Sequence, residues 1–394
     1  VEPLYTIEDA ENVKQYVTTC EYGEDVELCE GVSVRFADAG HLLGSACITV
    51  TATENGETKK IIFSGDLGNV DQPIIRDPSH FAGADYVIME STYGNRNHTE
   101  VWSYTDDLAQ IIDETMAKGG NVVIPAFAVG RTQEILYCLY LLRQKGKLPD
   151  DMPIFVDSPL AIRATEVFKE FKDYLDTPEI DLSGNMSALL PNLKFTLSAL
   201  ESQALNVMKG PAIIISASGM CNAGRIQHHL RHNAWRPTAS IVFVGYQGVG
   251  TPGRKIVDGA SSIRLFNEDV AIKAKVFTIG GFSAHAGQSQ ILDWIRKMAH
   301  PGMQVVLVHG EEKAQQILSG LIKDQFHLSV YAPGYLEEMA LAAGATPEVV
   351  VTAQPKSYAH VDWDLLLEET EGKLSKLRTR LEKAGERPSD EQVD

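Results

Sequence analysis

His41, Asp66 and His309 are the residues whose types and surroundings point most directly to chemistry. Each closes a strand-like apolar run and stands beside a glycine: His41 follows VRFADAG, Asp66 closes IIFSG and His309 closes VVLV, with Gly40, Gly65 and Gly310 alongside. Neutral imidazole and carboxylate are donor types that zinc favours, and one carboxylate can bridge two ions. Strand ends next to small residues are places where side chains from distant parts of a chain converge in a cleft. Taken singly, the same residues also read as hydrogen-bonded core histidines and a turn-forming aspartate. Glu90 and His285 form a second candidate set, for acid–base work. Glu90 ends DYVIME, and His285 lies in FTIGGFSAHAGQ, between a strand and the start of a helix. A carboxylate against an imidazole fixes its tautomer and favours its protonated form, which suits proton delivery to a leaving oxygen. Spacing alone does not bring the two together.

A third set suits phosphate. IIISASGMCNAGRIQHHLRH passes from strand to helix, with Ser216, Ser218 and Gly219 at the turn and Arg225, His228 and His229 after it. Backbone N–H groups at such a junction attract anions, although a solvated polar helix face explains the same residues. Arg131 in AFAVGRTQE, Asp157 and Ser158 in DSPLA, and Ser283 in GGFSAHAGQ stand at comparable junctions. Several junctions opening on one edge of a parallel sheet would line one crevice. GVGTPG at 248–253 has the glycine spacing of a dinucleotide loop. However, Pro252 interrupts it and the segment that follows is short for a pyrophosphate-binding helix.

The elements that must carry these residues fall into two groups. Strands are expected at 32–36, 46–53, 61–66 and 85–90, which together make a β-rich first part. From about 100 the pattern alternates: helices at 103–117, 131–144 and 160–174, and strands at 121–127, 153–157, 212–216, 240–245, 276–280 and 305–310. Continuous apolar runs of this kind fit parallel strands buried on both faces. Residues 287–299 read as an amphipathic helix through Ile291, Leu292, Ile295 and Met298. The stretch from 351 to 394 reads as a charged, helical tail.

Composition narrows the class. The chain has 394 residues, 44% of them hydrophobic, with a net charge of −18. That fits an acidic, multi-domain globular protein and excludes a broadly basic nucleic-acid-coating surface, though not a local basic cleft. Five cysteines without a CxxC pair argue against a disulfide framework and for a reducing, cytoplasmic setting. No apolar run reaches the ~20 residues of a membrane helix, so no membrane partner is expected.

Eight motifs, AGHLLGSA, SGDLG, ESTYG, PAFAVGRTQE, DSPLA, SASGM, GGFSAHAGQ and LVHGE, occur in this order. In this they resemble the β-CASP nucleases of the metallo-β-lactamase superfamily, in particular bacterial and archaeal homologues of the cleavage-and-polyadenylation endonuclease, with RNase J more distant. The resemblance implies an α/β fold: a metallo-β-lactamase αββα sandwich from 1–99 and 281–350, with an inserted, mainly parallel β-CASP domain at 100–280. It implies that His41 and His309 each ligate a zinc ion and that Asp66 bridges the two. It also implies that His285 donates a proton while Glu90 orients it, and that single-stranded RNA is hydrolysed at its phosphodiester bonds. Arg131, Ser216, Ser218, Gly219, Arg225, His228 and Ser283 would then meet the RNA. The family's HxHxDH motif is absent, and no HxH occurs anywhere in the sequence. The expectation is therefore an N-terminally incomplete sandwich with weak or no zinc binding, an exposed sheet face, and little activity in this chain alone. A separate chain carrying the N-terminal half and a homo-oligomer both stay open, as do the cleavage mode, an inactive scaffold in an RNA-processing complex and a small-molecule metallo-hydrolase.

Overall fold

A computed structural model describes residues 5–97, 103–176, 189–208, 210–334, 337–340 and 348–350. The expected charged tail at 351–394 lies outside them. Residues 1–333 form one compact unit and residues 334–394 a second, whose described part is an antiparallel pair of strands, Glu338–Ala340 and Glu348–Val350.

The first unit is built on two sheets. The seven-stranded sheet runs in the order β1 (Asp25–Cys29), β2 (Val32–Asp38), β3 (Ala46–Glu54), β4 (Glu57–Phe63), β5 (Tyr86–Met89), β14 (Gln304–Leu307) and β15 (Ser329–Tyr331). β1 to β4 pair antiparallel as a meander, and β4, β5, β14 and β15 pair in parallel. Asn55 and Gly56, both at positive φ, turn β3 into β4, as Asn-Gly does in tight hairpins. The late strand β14 thus joins the early sheet, and this sets His309 next to residues more than two hundred positions earlier.

The six-stranded sheet is parallel throughout. Its order is β13 (Lys275–Thr278), β10 (Ser240–Phe243), β6 (Val122–Pro125), β9 (Ile213–Ser216), β7 (Ile154–Val156) and β8 (Leu193–Phe195). Every residue of β6, β7, β9 and β10 is buried, which explains their uninterrupted apolar sequences. Helix Arg131–Gln144 covers one face with Ile135, Leu136, Leu139 and Leu142. Ile226 and Leu230 of helix Ile226–Asn233 pack with Val123, Ile241 and Phe243.

Helices Gln288–Arg296 and Glu312–Phe326 cover one face of the seven-stranded sheet, where Ile291, Ile295, Leu318 and Ile322 meet Ile62, Val87, Met89 and Val305. On the opposite face, the cross-strand registers align Phe36, Ile48, Phe63, Ile88 and Val306 in one row. Phe36, Ile48 and Ile88 are half-buried there and Phe63 is exposed.

Helix Pro159–Glu170 is followed by a separate 3₁₀ turn, Lys172–Tyr174, where one continuous helix is expected. Only the six-residue helix Pro252–Val257 follows GVGTPG. That is too short to present the N-terminus a dinucleotide would need.

Candidate metal and acid–base site

Two loops that leave the seven-stranded sheet, and the segment that leads from β13 of the six-stranded sheet into helix Gln288–Arg296, carry the site, and backbone contacts lock them together. The first, after β2, holds His41. Ser45 Oγ accepts from the N–H groups of His41 and Leu42, both at 3.1 Å, and Ala39 N–H donates back to Ser45 O at 3.1 Å. The second, after β4, holds Asp66. Gly68 N–H donates to Ala39 O at 2.8 Å, and the chains pass so close that a Cβ on Gly68 would sit 1.8 Å from Gly40 O. That contact sets the position of His41 relative to Asp66. The third, residues 283–287, holds His285. Asn69 N–H donates to Ala284 O and Ala286 N–H to Leu67 O, each at 2.8 Å.

His309 follows β14 at φ +45°. Its carbonyl accepts from Ser91 N–H at 3.1 Å, and Val308 N–H donates to Met89 O at 2.8 Å. The ESTYG and LVHGE motifs therefore lie against each other. Gly310 is a glycine because a Cβ would come 2.3 Å from Ser91 Oγ.

These loops gather His41, Asp66, Glu90, His285 and His309. His41 Nε2 is 3.9 Å from Asp66 Oδ2, and His309 Nε2 is 3.5 Å from Asp66 Oδ1. The two carboxylate oxygens thus face different histidines. Donor atoms sharing one zinc at ~2.0–2.1 Å stand roughly 3.3 Å or more apart, so both separations exceed a hydrogen bond and fit an ion between the atoms. Ligand atoms of His41, Asp66 and His285 lie within 4.8 Å of one another. Burial and the neighbouring His285 push the His41 pKa down to about 4, which leaves its imidazole neutral, the form that can ligate. The donor chemistry and spacing therefore fit zinc.

Glu90 is only 1% exposed, and its carboxylate serves three partners, one of them Thr92 N–H at 3.3 Å from Oε2. Its Oε1 accepts from Leu67 N–H, next to Asp66. His285 Nδ1 donates to the same carboxylate, 3.0 Å from Oε1 and 3.1 Å from Oε2. Burial alone would lower the His285 pKa, but the hydrogen bond and charge of Glu90, joined by the charge of Asp66, outweigh it and hold the pKa above the ordinary histidine value. Nδ1 is thus the ring nitrogen committed to Glu90. The rings of His285 and His41 stand 4.5 Å apart by centroids, and those of His285 and His309 stand 6.1 Å apart.

The other candidates occupy different roles. Arg131 is buried, ion-paired with Glu134 and set 5.7 Å over the Phe282 ring. Arg225 donates to Asp157 Oδ1 at 2.7 Å and to the carbonyls of Thr196 and Leu197 at 3.0 and 2.8 Å. Ser216 Oγ donates to Asp157 O at 2.7 Å. These groups are committed inside the protein because a buried charge or hydroxyl without a partner is costly. Ser218 Oγ bonds Asn222 Oδ1 at 2.7 Å at the exposed turn. His228 is exposed and stacks on Phe266 at 4.4 Å. Ser283 is buried, and its carbonyl accepts from Asn69 Nδ2 at 3.2 Å.

Sequence reasoning named Asp157 only as a junction residue and passed over the tyrosines at the site. Asp157 is a fully buried hub that accepts from His229 Nε2 and Ser202 Oγ at 2.6 Å each, from Thr196 Oγ1 and from Arg225. At the site itself, Tyr93 lies edge-on to His285 with centroids 6.2 Å apart. Tyr246, after β10, reaches across from the other sheet to donate to Glu311 Oε1 at 2.8 Å. Tyr93 and Glu311 stand inside the ESTYG and LVHGE motifs, but no spacing rule connects either to Tyr246.

Comparison with known proteins gives a consistent result. Residues 132–256 match the family model described as the Beta-Casp domain, and residues 269–333 match the model described as the Zn-dependent metallo-hydrolase RNA specificity domain. The chain is 39% identical over 324 residues to Ribonuclease TTHA0252 of Thermus thermophilus, covering 82% of this chain and 72% of that protein. It is 33% identical over 310 residues to an RNase J-like protein of Methanocaldococcus jannaschii, covering 78% and 70%. It is 31% identical over 352 residues to the transcription termination factor FttA of Thermococcus kodakarensis, covering 86% of this chain but only 54% of that one. The chain thus spans about half the length of that third relative. Among the described residues, no helix is long and apolar enough to cross a membrane.

Proposed function

We infer the function from one premise: the chain belongs to the β-CASP family of the metallo-β-lactamase superfamily. On that premise it is an RNA-processing hydrolase that cleaves phosphodiester bonds in single-stranded RNA. Residues 1–99 and 281–350 make the metallo-β-lactamase part and residues 100–280 the inserted β-CASP part, a division supported by the return of β14 and β15 to the first sheet.

The observation that carries the reading is the Asp66 carboxylate, with one oxygen turned to His41 and the other to His309, beside a histidine held by a buried glutamate. His41, Asp66 and His309 would hold zinc, and bound zinc supplies Lewis-acid polarisation of a phosphoryl group. His285 carries a proton at Nε2 and passes it to the departing oxygen of the RNA chain. Glu90 fixes the ring by accepting at Nδ1 and stabilises the charged imidazole before transfer. The half-buried Ser218 and the exposed His228 are placed to meet the RNA backbone. Contacts of that kind position a strand without reading its sequence. Three protein donors are few for a two-zinc centre, so on this reading zinc binding by this chain is weak.

The test uses the natural full-length protein, labelled single-stranded RNA and measured zinc content. His309→Ala should lower zinc content and abolish cleavage. A His309→Ala protein that still cleaves RNA in a zinc-dependent way overturns the assignment.

A further inference from the structure

Away from the five-residue cluster, five of the exposed apolar side chains of the parallel-sheet part stand together. Phe127 and Val129 follow β6, Leu160 follows β7, Leu197 follows β8 and Val249 follows β10, and all are exposed. Because these strands are parallel, the side chains stand along one edge, at the carboxyl ends of the strands. In open parallel sheets that is the edge where ligands bind.

Phe127 is the aromatic among them, and it is 44% exposed. Its loop is fixed in place. Ala126 N–H donates to Ser216 O at 3.0 Å, and Phe127 O accepts from Thr132 N–H at 3.2 Å and from Thr132 Oγ1 at 2.8 Å. Gly219 backs onto the ring: a Cβ there would come 2.9 Å from Cδ2 and 3.0 Å from Cε2. At its other end the loop meets the loop of His41, since a Cβ on Gly130 would come 2.5 Å from Leu42 Cδ2. A phenyl ring is therefore backed by a glycine on one side, open to solvent, and seated between the His41 loop and the SASGM turn. It offers a ligand no hydrogen bond and no charge. What it offers is a pre-positioned π face, and every nucleobase can stack on such a face.

We propose that Phe127 is a stacking platform for one nucleobase of the RNA strand whose phosphate enters the His41–Asp66–His309 cluster. The inference rests on the ribonuclease reading above. Stacking of this kind tolerates any base, so the contact sets how the strand is threaded and not which sequence is cut. Gly219 contributes by leaving the ring its place, and the apolar edge continues from there towards Leu160 and Leu197.

The experiment uses the full-length protein and a non-cleavable single-stranded RNA labelled with 2-aminopurine. Phe127→Ala should weaken binding by about 5- to 150-fold, the range seen for one stacked base, and should remove the quenching of 2-aminopurine at one position. Phe127→Tyr should restore both. Because no charge changes, the slope of affinity against salt should stay the same. Gly219→Ala, which displaces the ring without removing it, should give the same direction of change. Replacing each nucleotide in turn by an abasic one should cost the wild type affinity at a single position, and should cost Phe127→Ala nothing further there. Abasic penalties that match in wild type and Phe127→Ala at every position overturn the proposal, while continued RNA cleavage leaves the ribonuclease reading standing. RNA that is neither bound nor cut overturns both.

Discussion

Gly68→Ala tests whether the site is held by backbone contact between loops. Gly68 is not at positive φ, so its need for glycine is steric. An alanine Cβ would lie 1.8 Å from Gly40 O, 2.0 Å from Gly40 C and 2.7 Å from His41 N. A carbon–oxygen contact requires ~3.3 Å, so the loops must part by about 1.5 Å. That separation breaks the Gly68 N–H to Ala39 O bond and strains the bonds that tie residues 67–69 to residues 284–286. A net ~0.5–1.5 kcal/mol per lost hydrogen bond, with a buried donor left unsatisfied at ~1–3 kcal/mol, gives a loss of about 2–4 kcal/mol. The change also moves His41 away from Asp66, and a displacement of ~1 Å near the chemistry costs roughly 100-fold in rate. Urea unfolding of this chain should show the stability loss. Zinc titration and RNA cleavage by the full-length protein should show the functional loss. A variant with wild-type unfolding midpoint and wild-type zinc affinity would refute the argument.

Three further outcomes follow from other residues. Gly320 lies within helix Glu312–Phe326 with nothing within 4 Å of an added Cβ, so Gly320→Ala should raise stability by about 0.5–1 kcal/mol in the same urea assay. Glu90→Gln keeps an acceptor for Leu67 N–H but removes the charge that holds His285, so kcat should fall ~10²- to 10⁴-fold with zinc content unchanged, measured in single-turnover RNA cleavage. Asp157 is held below the ordinary carboxylate value of 3.8, because its four hydrogen-bond donors outweigh the opposing effect of burial. A depressed folded pKa means that its stabilisation is complete above 3.8 and shrinks as pH falls below it. Asp157→Asn leaves donors without an acceptor and should cost about 3–5 kcal/mol near neutral pH. The same variant should unfold with a shallower dependence on acid than the wild type, as followed by urea midpoints between about pH 4 and pH 2.

The fold was most legible where burial is complete. β6, β9, β10 and β14 are continuous apolar runs, and each is a fully buried strand. Helix Arg131–Gln144 has the bounds its periodicity suggests. Elements at the margins were harder to see. β1 is a polar, exposed edge strand, β8 has three residues, and β11 (Ser262–Leu265) with β12 (Glu268–Ala271) forms a small charged hairpin. Helix Glu312–Phe326 shows its stripe, Ala314, Leu318 and Ile322, only once the burial is known. The phosphate candidates illustrate a different limit. Arg225 looks available on a helix face until its acceptor, Asp157, appears 68 residues earlier. Hydrogen-bond partners at that range leave no periodic trace.

The same limit explains why the candidate site could be named but not assembled from sequence. Glu90 and His285 are 195 residues apart, and nothing in either segment announces the other. What joins them is sheet order. β14 inserts beside β5, so the loops after both strands open on the same edge, and the 283–287 loop that precedes helix Gln288–Arg296 bonds to the loop after β4. Side chains contribute, as in the contacts of Glu90 with His285 and of Gln290 with Asn69. Backbone pairs between residues 39 and 68, 69 and 284, 67 and 286, and 91 and 309 fix the loops against one another. A site fixed this way tolerates changes in its lining but not in the glycines that let the loops touch. Substitutions at Gly40, Gly68 and Gly310 should therefore damage zinc affinity more than substitutions at Ser218 or the exposed His228.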